Sequence, residues 1–100
     1  MSQSLLLKIA RESITEVFEA ENTINKEELY QQYPVLKEPV ASFVTIYLND
    51  ELRGSMGTII PSRPLLDDSI SNAKSAAFED SRFTPLKTSG YLHSTLELSL

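Results

Sequence analysis

The residues best suited to chemistry lie in one stretch, Arg-Gly-Ser-Met-Gly, which begins at Arg53. Two of the chain's three glycines, Gly54 and Gly57, fall in this stretch, and they favour a backbone shape that larger side chains would obstruct. The guanidinium of Arg53 has the geometry to hold a carboxylate or a phosphate by two hydrogen bonds, assisted by backbone N–H groups of a kinked strand. The alternative role is a structural salt bridge to Asp80 or Glu97, and the sequence leaves both roles open.

Ser55, at the centre of that stretch, has the side chain of a nucleophile or of a hydrogen-bond donor. A nucleophilic serine needs a base within reach, and His93 is the chain's single histidine. The spacing of these two residues does not place them together, so the alternative is a small residue accommodated in a tight turn. The sequence therefore assigns no catalytic residue.

A second charged stretch, Asp-Ser-Arg-Phe, begins at Asp80, directly after a predicted helix. Arg82 would join Arg53 in one anion-binding site if both lie on the same surface. In the alternative, Asp80 and Arg82 fix the corner between helix and loop by hydrogen bonds, while Phe83 fills the core. The candidate ligand-binding residues are Arg53, Gly54, Ser55, Gly57, Asp80 and Arg82.

The composition excludes several classes of site. The chain has no cysteine, so disulfides, thiolate metal sites and cysteine nucleophiles are all excluded. With one histidine, a zinc site would need carboxylates for most of its ligands, which is uncommon. We interpret His93 as solvent-facing or hydrogen-bonded, and the acidic stripe of Glu12, Glu16 and Glu19 as a solvated helix face. We therefore expect neither a metal nor a cofactor.

The charge distribution bears on the class of partner. The net charge is −5, and the nine basic residues are scattered rather than clustered, which disfavours nucleic acid because binding to it depends on neutralising phosphates. No apolar run approaches the ~20 residues of a membrane-spanning helix. The first residues also lack the basic start of a secretory signal. We therefore expect a cytoplasmic protein that does not bind membranes, and a nucleic-acid-binding factor is the least favoured of the functional hypotheses.

The first third of the chain is predicted to be helical. Residues 4–20 carry apolar side chains every four positions, which is typical of an amphipathic helix. Asn25 followed by Glu28 resembles a capping box that opens a short second helix. Pro34 and Pro39 are then expected to bracket an extended linker.

The middle of the chain predicts a hairpin. Residues 42–48 are rich in β-branched and aromatic side chains, so we expect a strand covered on both faces, or on one face with the other partly exposed. Asn49-Asp50 is a turn signal, although a longer loop is the alternative because the favoured Asn-Gly is absent. Residues 51–60 would return as the partner strand, with one of its two glycines allowing a bulge.

The last third predicts a helix and a strand. A helix introduced by Pro64 has the buried stripe Leu66, Ile70, Ala73 and Ala77. Residues 91–100 alternate as a half-buried strand, with one face formed by Leu92, Leu96, Leu98 and Leu100. This order of elements predicts an α+β fold, with helices packed on a largely antiparallel sheet in a two-layer sandwich. We expect one domain over residues 1–100, incomplete at its C-terminus because the chain stops on a running strand.

A set of motifs spread in order through the chain carries a family resemblance. They are Phe43-Val44-Thr45, Leu52-Arg53-Gly54-Ser55-Met56-Gly57-Thr58, Arg63-Pro64-Leu65, Asn72-Ala73, Ser75-Ala76-Ala77-Phe78, Asp80-Ser81-Arg82-Phe83 and Pro85-Leu86. Together they resemble the AMME chromosomal region protein family, whose bacterial and archaeal members are called AmmeMemoRadiSam system protein A. The chain departs from the family's signature at Ser55, where the family has cysteine, and at Met56, where it has isoleucine. The family's domain also continues well beyond the last strand of this chain.

The resemblance implies an α+β protein whose genes lie beside those of a Memo-like protein and a radical S-adenosylmethionine protein. Our first hypothesis for a protein of this family is an accessory binding component that recognises a small anionic group or a partner protein near the Arg-Gly-Ser-Met-Gly turn. The alternative is an enzyme component of a modification pathway shared with those two proteins. In that case the partner would carry the iron–sulfur chemistry, since this chain has no cysteine ligands. The sequence leaves the oligomeric state open.

Overall fold

The structure is a computed structural model that describes residues 3–100. In this range the chain forms four helices and three strands. In chain order they are α1 (Gln3–Glu19), α2 (Lys26–Gln32), β1 (Phe43–Leu48), β2 (Glu51–Gly57), α3 (Leu65–Phe78), α4 (Thr88–Leu92) and β3 (Ser94–Ser99), with a 3₁₀ turn at Pro34–Lys37 between α2 and β1. None of these helices is long and apolar enough to cross a membrane.

The three strands form one antiparallel sheet in the order β2-β1-β3. Helix α3 packs against β1 and β2, while α1 packs against β3 and against α3. One face of the sheet is therefore covered by helices, and the other face carries half-exposed side chains such as Phe43 and Thr45. The predicted α+β class with helices on an antiparallel sheet is confirmed.

The core lies between the sheet and the two long helices. The apolar repeat of α1 buries Leu6, Ala10 and Ile14 fully, as its spacing predicts. The predicted stripe of α3 is buried as well, and it meets the inward residues Val44 and Ile46 of β1, Leu96 and Leu98 of β3 and Leu36 of the 3₁₀ turn.

The hairpin between β1 and β2 has the shortest possible loop. Leu48 pairs with Glu51, so Asn49 and Asp50 are its two loop residues. Their φ values are +53° and +63°, the left-handed region that a type I′ turn requires at both positions and that Asn and Asp tolerate better than most residues. The turn signal is confirmed, and the longer-loop alternative is wrong.

Three predicted segments differ from the structure. The partner strand expected over residues 51–60 ends at Gly57. The extended linker between Pro34 and Pro39 is mostly a 3₁₀ turn, because burying Leu36 completely in the core requires the chain to fold back there. The strand expected over residues 91–100 begins only at Ser94. Before it, Tyr91 is buried in helix α4 and donates a hydrogen bond of 3.0 Å from its hydroxyl to the Arg11 carbonyl, so Leu92 is exposed instead of joining the buried face.

Candidate functional site

Arg53 occupies a β-bulge in strand β2. Ile46 of β1 pairs with Gly54, but the next residue, Tyr47, pairs with Leu52, so Arg53 is the extra residue on the bulged strand. A bulge bends the strand and re-aims the side chain of its extra residue. The bulge predicted for this strand is confirmed, and it lies immediately before the first glycine.

The two glycines of the stretch allow close approach rather than an unusual φ. A Cβ on Gly54 would collide with the backbone carbonyl of Ala76, which shows how closely β2 lies against helix α3. A Cβ on Gly57 would collide with the ring of Phe43 in the neighbouring strand. Neither glycine has a positive φ. Gly54 therefore brings the bulge and the C-terminal end of α3 together.

Asp80 lies just beyond α3 and closes the outer edge of β2. Its Oδ2 accepts a hydrogen bond of 3.0 Å from the backbone N–H of Ser55. Its two oxygens also receive a two-point pair from Arg82, with Nε–Oδ1 at 3.0 Å and Nη2–Oδ2 at 2.7 Å. The backbone N–H of Arg82 donates to Oδ1 at 3.1 Å. A buried carboxylate with these four donors is held in one orientation.

Arg82 links this carboxylate to the side chain of Ser55. Its Nη2 donates to Ser55 Oγ at 2.8 Å. Hydrogen bonds from the Arg82 guanidinium, followed by the one from its backbone N–H, hold the pKa of Asp80 well below its usual range. The same pairing raises the pKa of Arg82. At neutral pH the two charges therefore offset each other.

Arg53 and Arg82 meet at the ring of Phe83. Their guanidinium carbons lie 5.5 Å and 5.4 Å from the ring centroid, within the range of a cation–π interaction. Arg53 Nη2 also donates to the carbonyl of Thr84 at 2.7 Å. Among residues 3–100, the ion pairs do not include Arg53, so the salt bridge to Asp80 or Glu97 is not formed.

We call the cluster of Arg53, Ser55, Asp80, Arg82 and Phe83 the Arg53 site. Asp80 compensates Arg82, so one positive charge remains in the cluster, on Arg53. The structure thus joins five of the six candidate residues directly or through adjacent backbone, while Gly57 lies at the far end of β2.

His93 lies away from the Arg53 site. It follows helix α4 and is exposed, and its backbone N–H donates to the carbonyl of Gly90 at 3.1 Å. Strand β1 separates the two segments, because Ser55 pairs with one side of β1 and the strand that follows His93 pairs with the other. The structure therefore forms no Ser–His pair for nucleophilic catalysis.

A buried polar network on the opposite end of α3 was not foreseen from the sequence. Asp68 is 1% exposed, and its Oδ2 accepts from the backbone N–H of Ser42 at 2.7 Å and from Asn72 Nδ2 at 3.0 Å. Its Oδ1 accepts from Thr58 Oγ1 at 2.6 Å and from Arg63 Nε at 2.7 Å. Burial alone would raise the pKa of Asp68. Hydrogen bonds from the hydroxyl of Ser42, from Thr58 and Arg63 and from the backbone N–H of Ser42 together outweigh burial and lower it.

This network joins the start of β1, the loop after β2 and the first turn of α3. One pattern in the sequence is consistent with this network. Asp68 and Asn72 are four residues apart and therefore share a helix face, and that face also carries the buried Leu65 and Ala76. Polar residues on a buried face need partners, so the pattern predicts an internal hydrogen-bond network.

Most of the chain matches one known protein family. The model of the AMMECR1 family matches residues 7–100, which is nearly the whole chain. The chain belongs to the AMMECR1 family. The resemblance drawn from the motifs is thereby confirmed.

Archaeal proteins are similar to this AMMECR1-family chain. Protein SSO0193 of Saccharolobus solfataricus is 35% identical, in an alignment covering 96% of this chain and 43% of that protein. Protein MK0488 of Methanopyrus kandleri is 36% identical over 82% of this chain and 39% of its own length. The crystal structure of uncharacterized protein PH0010 from Pyrococcus horikoshii superposes with a TM-score of 0.84 at 29% identity, covering 95% of this chain and 48% of that one. This AMMECR1-family chain thus spans less than half the length of these relatives.

Proposed function

We propose that this AMMECR1-family protein is a binding component that recognises a small anionic group at Arg53, and that the preferred group is a carboxylate. The observation that carries the proposal is the uncompensated charge of Arg53 beside an Arg82 that Asp80 already pairs. Arg53 lies on a bulge and donates one N–H to the Thr84 carbonyl, which holds its side chain in place. Its remaining N–H groups have no hydrogen-bond partner among residues 3–100, so they are available to a ligand.

The charge of the cluster favours a carboxylate over a phosphate. A single net positive charge balances a monoanion, whereas a phosphate dianion would keep an unbalanced charge next to Asp80. The face of Phe83 adds an apolar surface for whatever the carboxylate is attached to. A carboxylate-bearing small molecule and a carboxylate of a partner protein share this chemistry.

The alternative of an enzyme component acting with a Memo-like and a radical S-adenosylmethionine protein stays a prediction. The hydroxyl of Ser55 accepts a hydrogen bond from Arg82, and its backbone N–H donates to Asp80. Neither partner is an imidazole base. We therefore assign the Arg53 site to recognition and propose no reaction for it. The cytoplasmic location and the two named partners remain proposals of the same kind.

The test is an acetate titration followed by calorimetry at constant ionic strength, with inorganic phosphate as the competing probe. Arg53→Ala is the test variant, and Lys8→Ala is its control because Lys8 is an exposed cation on α1, outside the Arg53 site. We expect Arg53→Ala to weaken acetate binding roughly tenfold or more, which is the effect of losing a charge-assisted hydrogen bond. Equal affinity in the two variants would overturn the proposal.

A further inference from the structure

The hydroxyl of Ser55 accepts a hydrogen bond inside the protein but donates none there. Its Oγ accepts from Arg82 Nη2 at 2.8 Å. A serine hydroxyl carries one O–H donor beside its acceptor lone pairs. Among residues 3–100, this O–H has no hydrogen-bond acceptor. Because the side chain is only half-buried, a bound molecule can reach the O–H.

Arg82 limits the directions in which this O–H can point. Its Nη2 has two N–H groups, of which one donates to Asp80 Oδ2 at 2.7 Å and the other to Ser55. A guanidinium cannot accept a hydrogen bond, so the O–H of Ser55 points away from Arg82. Asp80 also accepts from the Nε and from the backbone N–H of Arg82, which keeps the guanidinium from turning. The O–H of Ser55 is therefore an oriented donor.

The ring of Phe83 lies between this donor and Arg53. The guanidinium carbon of Arg82, which is bound to Ser55, lies 5.4 Å from the centroid of the ring. The guanidinium carbon of Arg53 lies 5.5 Å from the same centroid. A molecule whose carboxylate binds Arg53 can therefore extend along Phe83 to the hydroxyl of Ser55. In this order the three residues offer a positive charge, an apolar surface and a hydrogen-bond donor.

The charges around Ser55 favour a neutral acceptor. The carboxylate of Asp80 accepts the backbone N–H of Ser55 at 3.0 Å, so an anionic group bound to the hydroxyl would lie close to a negative charge. A cationic group would lie close to Arg82 in the same way. A carbonyl oxygen carries no net charge and has two lone pairs. The O–H of Ser55 therefore fits the carbonyl of a ketone or an amide.

We propose that Ser55 determines the specificity of the Arg53 site by donating a hydrogen bond to a carbonyl of the ligand. The site then selects acids in which an apolar spacer separates the carboxylate from a neutral carbonyl group. Oxo acids with a chain of several carbon atoms belong to this class. This inference rests on the proposed function, because it requires Arg53 to bind the carboxylate.

The test compares straight-chain acids that differ only by an oxo group. Pentanoate, hexanoate and heptanoate are each paired with the acid of the same length that has an oxo group on its penultimate carbon. Calorimetry at constant ionic strength gives the dissociation constants of both acids in each pair. Because the carbonyl moves one carbon farther from the carboxylate with each pair, the series finds the spacing that reaches Ser55.

Ser55→Ala is the test variant, and Ser81→Ala is its control because Ser81 is an exposed serine beside Arg82. Ser55→Ala keeps the backbone N–H that Asp80 accepts, and Arg82 keeps its hydrogen bonds to Asp80. At the best spacing we expect Ser55→Ala to weaken binding of the oxo acid roughly threefold to tenfold, the effect of one neutral hydrogen bond. The affinity for the unsubstituted acid should not change, and Ser81→Ala should alter neither affinity.

Two results would overturn the proposal. One is an equal loss of affinity for both acids of a pair in Ser55→Ala, which would show that the hydroxyl only supports Arg82. The other is unchanged binding of every oxo acid in Ser55→Ala. Arg53→Ala distinguishes this failure from a failure of the proposed function. If Arg53→Ala leaves the affinity for the unsubstituted acids unaltered, the proposed function is wrong. If it weakens their binding while Ser55→Ala affects no oxo acid, only the specificity assigned to Ser55 is wrong.

Discussion

The backbone N–H of Ser55 donates a hydrogen bond of 3.0 Å to Asp80 Oδ2, so a side chain rather than a strand closes the outer edge of β2. The same carboxylate holds Arg82 by two further hydrogen bonds. One aspartate thus fixes the strand that carries Arg53 and removes Arg82 from competition for an anion. The ligand preference of the Arg53 site therefore depends on the charge of Asp80.

The first prediction concerns that charge. Asp80→Asn retains the shape of the side chain but leaves Arg82 uncompensated, so the Arg53 site gains a positive charge. We expect phosphate binding to strengthen relative to acetate binding, which calorimetric titrations of both ions measure. Glu79→Gln makes the same charge change on the neighbouring, exposed residue and should leave the ratio of the two affinities unaltered.

The second prediction is a loss of stability in acid. The folded-state pKa values of Asp68 and Asp80 are both lowered, so each contributes stability that is present above the unfolded pKa of about 3.9 and is lost as the pH falls through the folded value. We expect the free energy of unfolding in urea to decrease steadily below about pH 4. The decrease should be shallower in Asp80→Asn, and a parallel decrease would show that Asp80 has no part in it.

The third prediction concerns a buried hydroxyl. Ser69 is fully buried in α3, and its Oγ has no hydrogen-bond partner among residues 3–100. Ser69→Ala should raise the free energy of unfolding by about 1 kcal/mol, because it removes an unsatisfied polar group. Ser71 in the same helix is only half-buried. Ser71→Ala therefore measures the gain in helix propensity alone, which should raise the free energy of unfolding by about 0.5 kcal/mol. Equal effects in the two variants would contradict the prediction.

The fourth prediction compares the two glycines of β2. Gly54→Ala forces a methyl group against the backbone carbonyl of Ala76, which cannot move without shifting α3, so we expect a loss of roughly 1–3 kcal/mol. Gly57→Ala meets the ring of Phe43, which is 47% exposed and can rotate away. Its loss should be clearly smaller. Urea unfolding of both variants gives the comparison, and the reverse order would contradict the packing described for β2.

The local elements could be predicted from the sequence because their causes are local. The four-residue repeat of α1, the capping of α2 by Asn25 and the hairpin at Asn49 and Asp50 each depend on residues within one or two turns. Tyr91 shows where this fails. Its alternation with later residues fits a strand, but a hydrogen bond to Arg11, 80 positions earlier, places it in a helix.

The candidate site was predictable as a set of residues but not as an arrangement. The glycines and arginines were recognisable by type, whereas the meeting of Arg53 and Arg82 at Phe83 depends on β2 lying against the end of α3. Asp68 was missed for the same reason. Its partner Ser42 lies 26 positions away, so the local pattern around Asp68 indicates a need for partners but does not identify Ser42 as one of them.

We propose that Arg53, whose Nη2 donates to Thr84, binds a carboxylate with its remaining N–H groups. The most direct measurement is the side-chain Nε–Hε signal of Arg53 in ¹H–¹⁵N spectra recorded during an acetate titration at constant ionic strength. If Arg53 binds a carboxylate, that signal shifts saturably, the amide of Ser55 shifts with it, and the signal of Arg63 at the other end of α3 does not change. Equal, non-saturating shifts of all arginine signals would show general screening by salt instead of a binding site at Arg53.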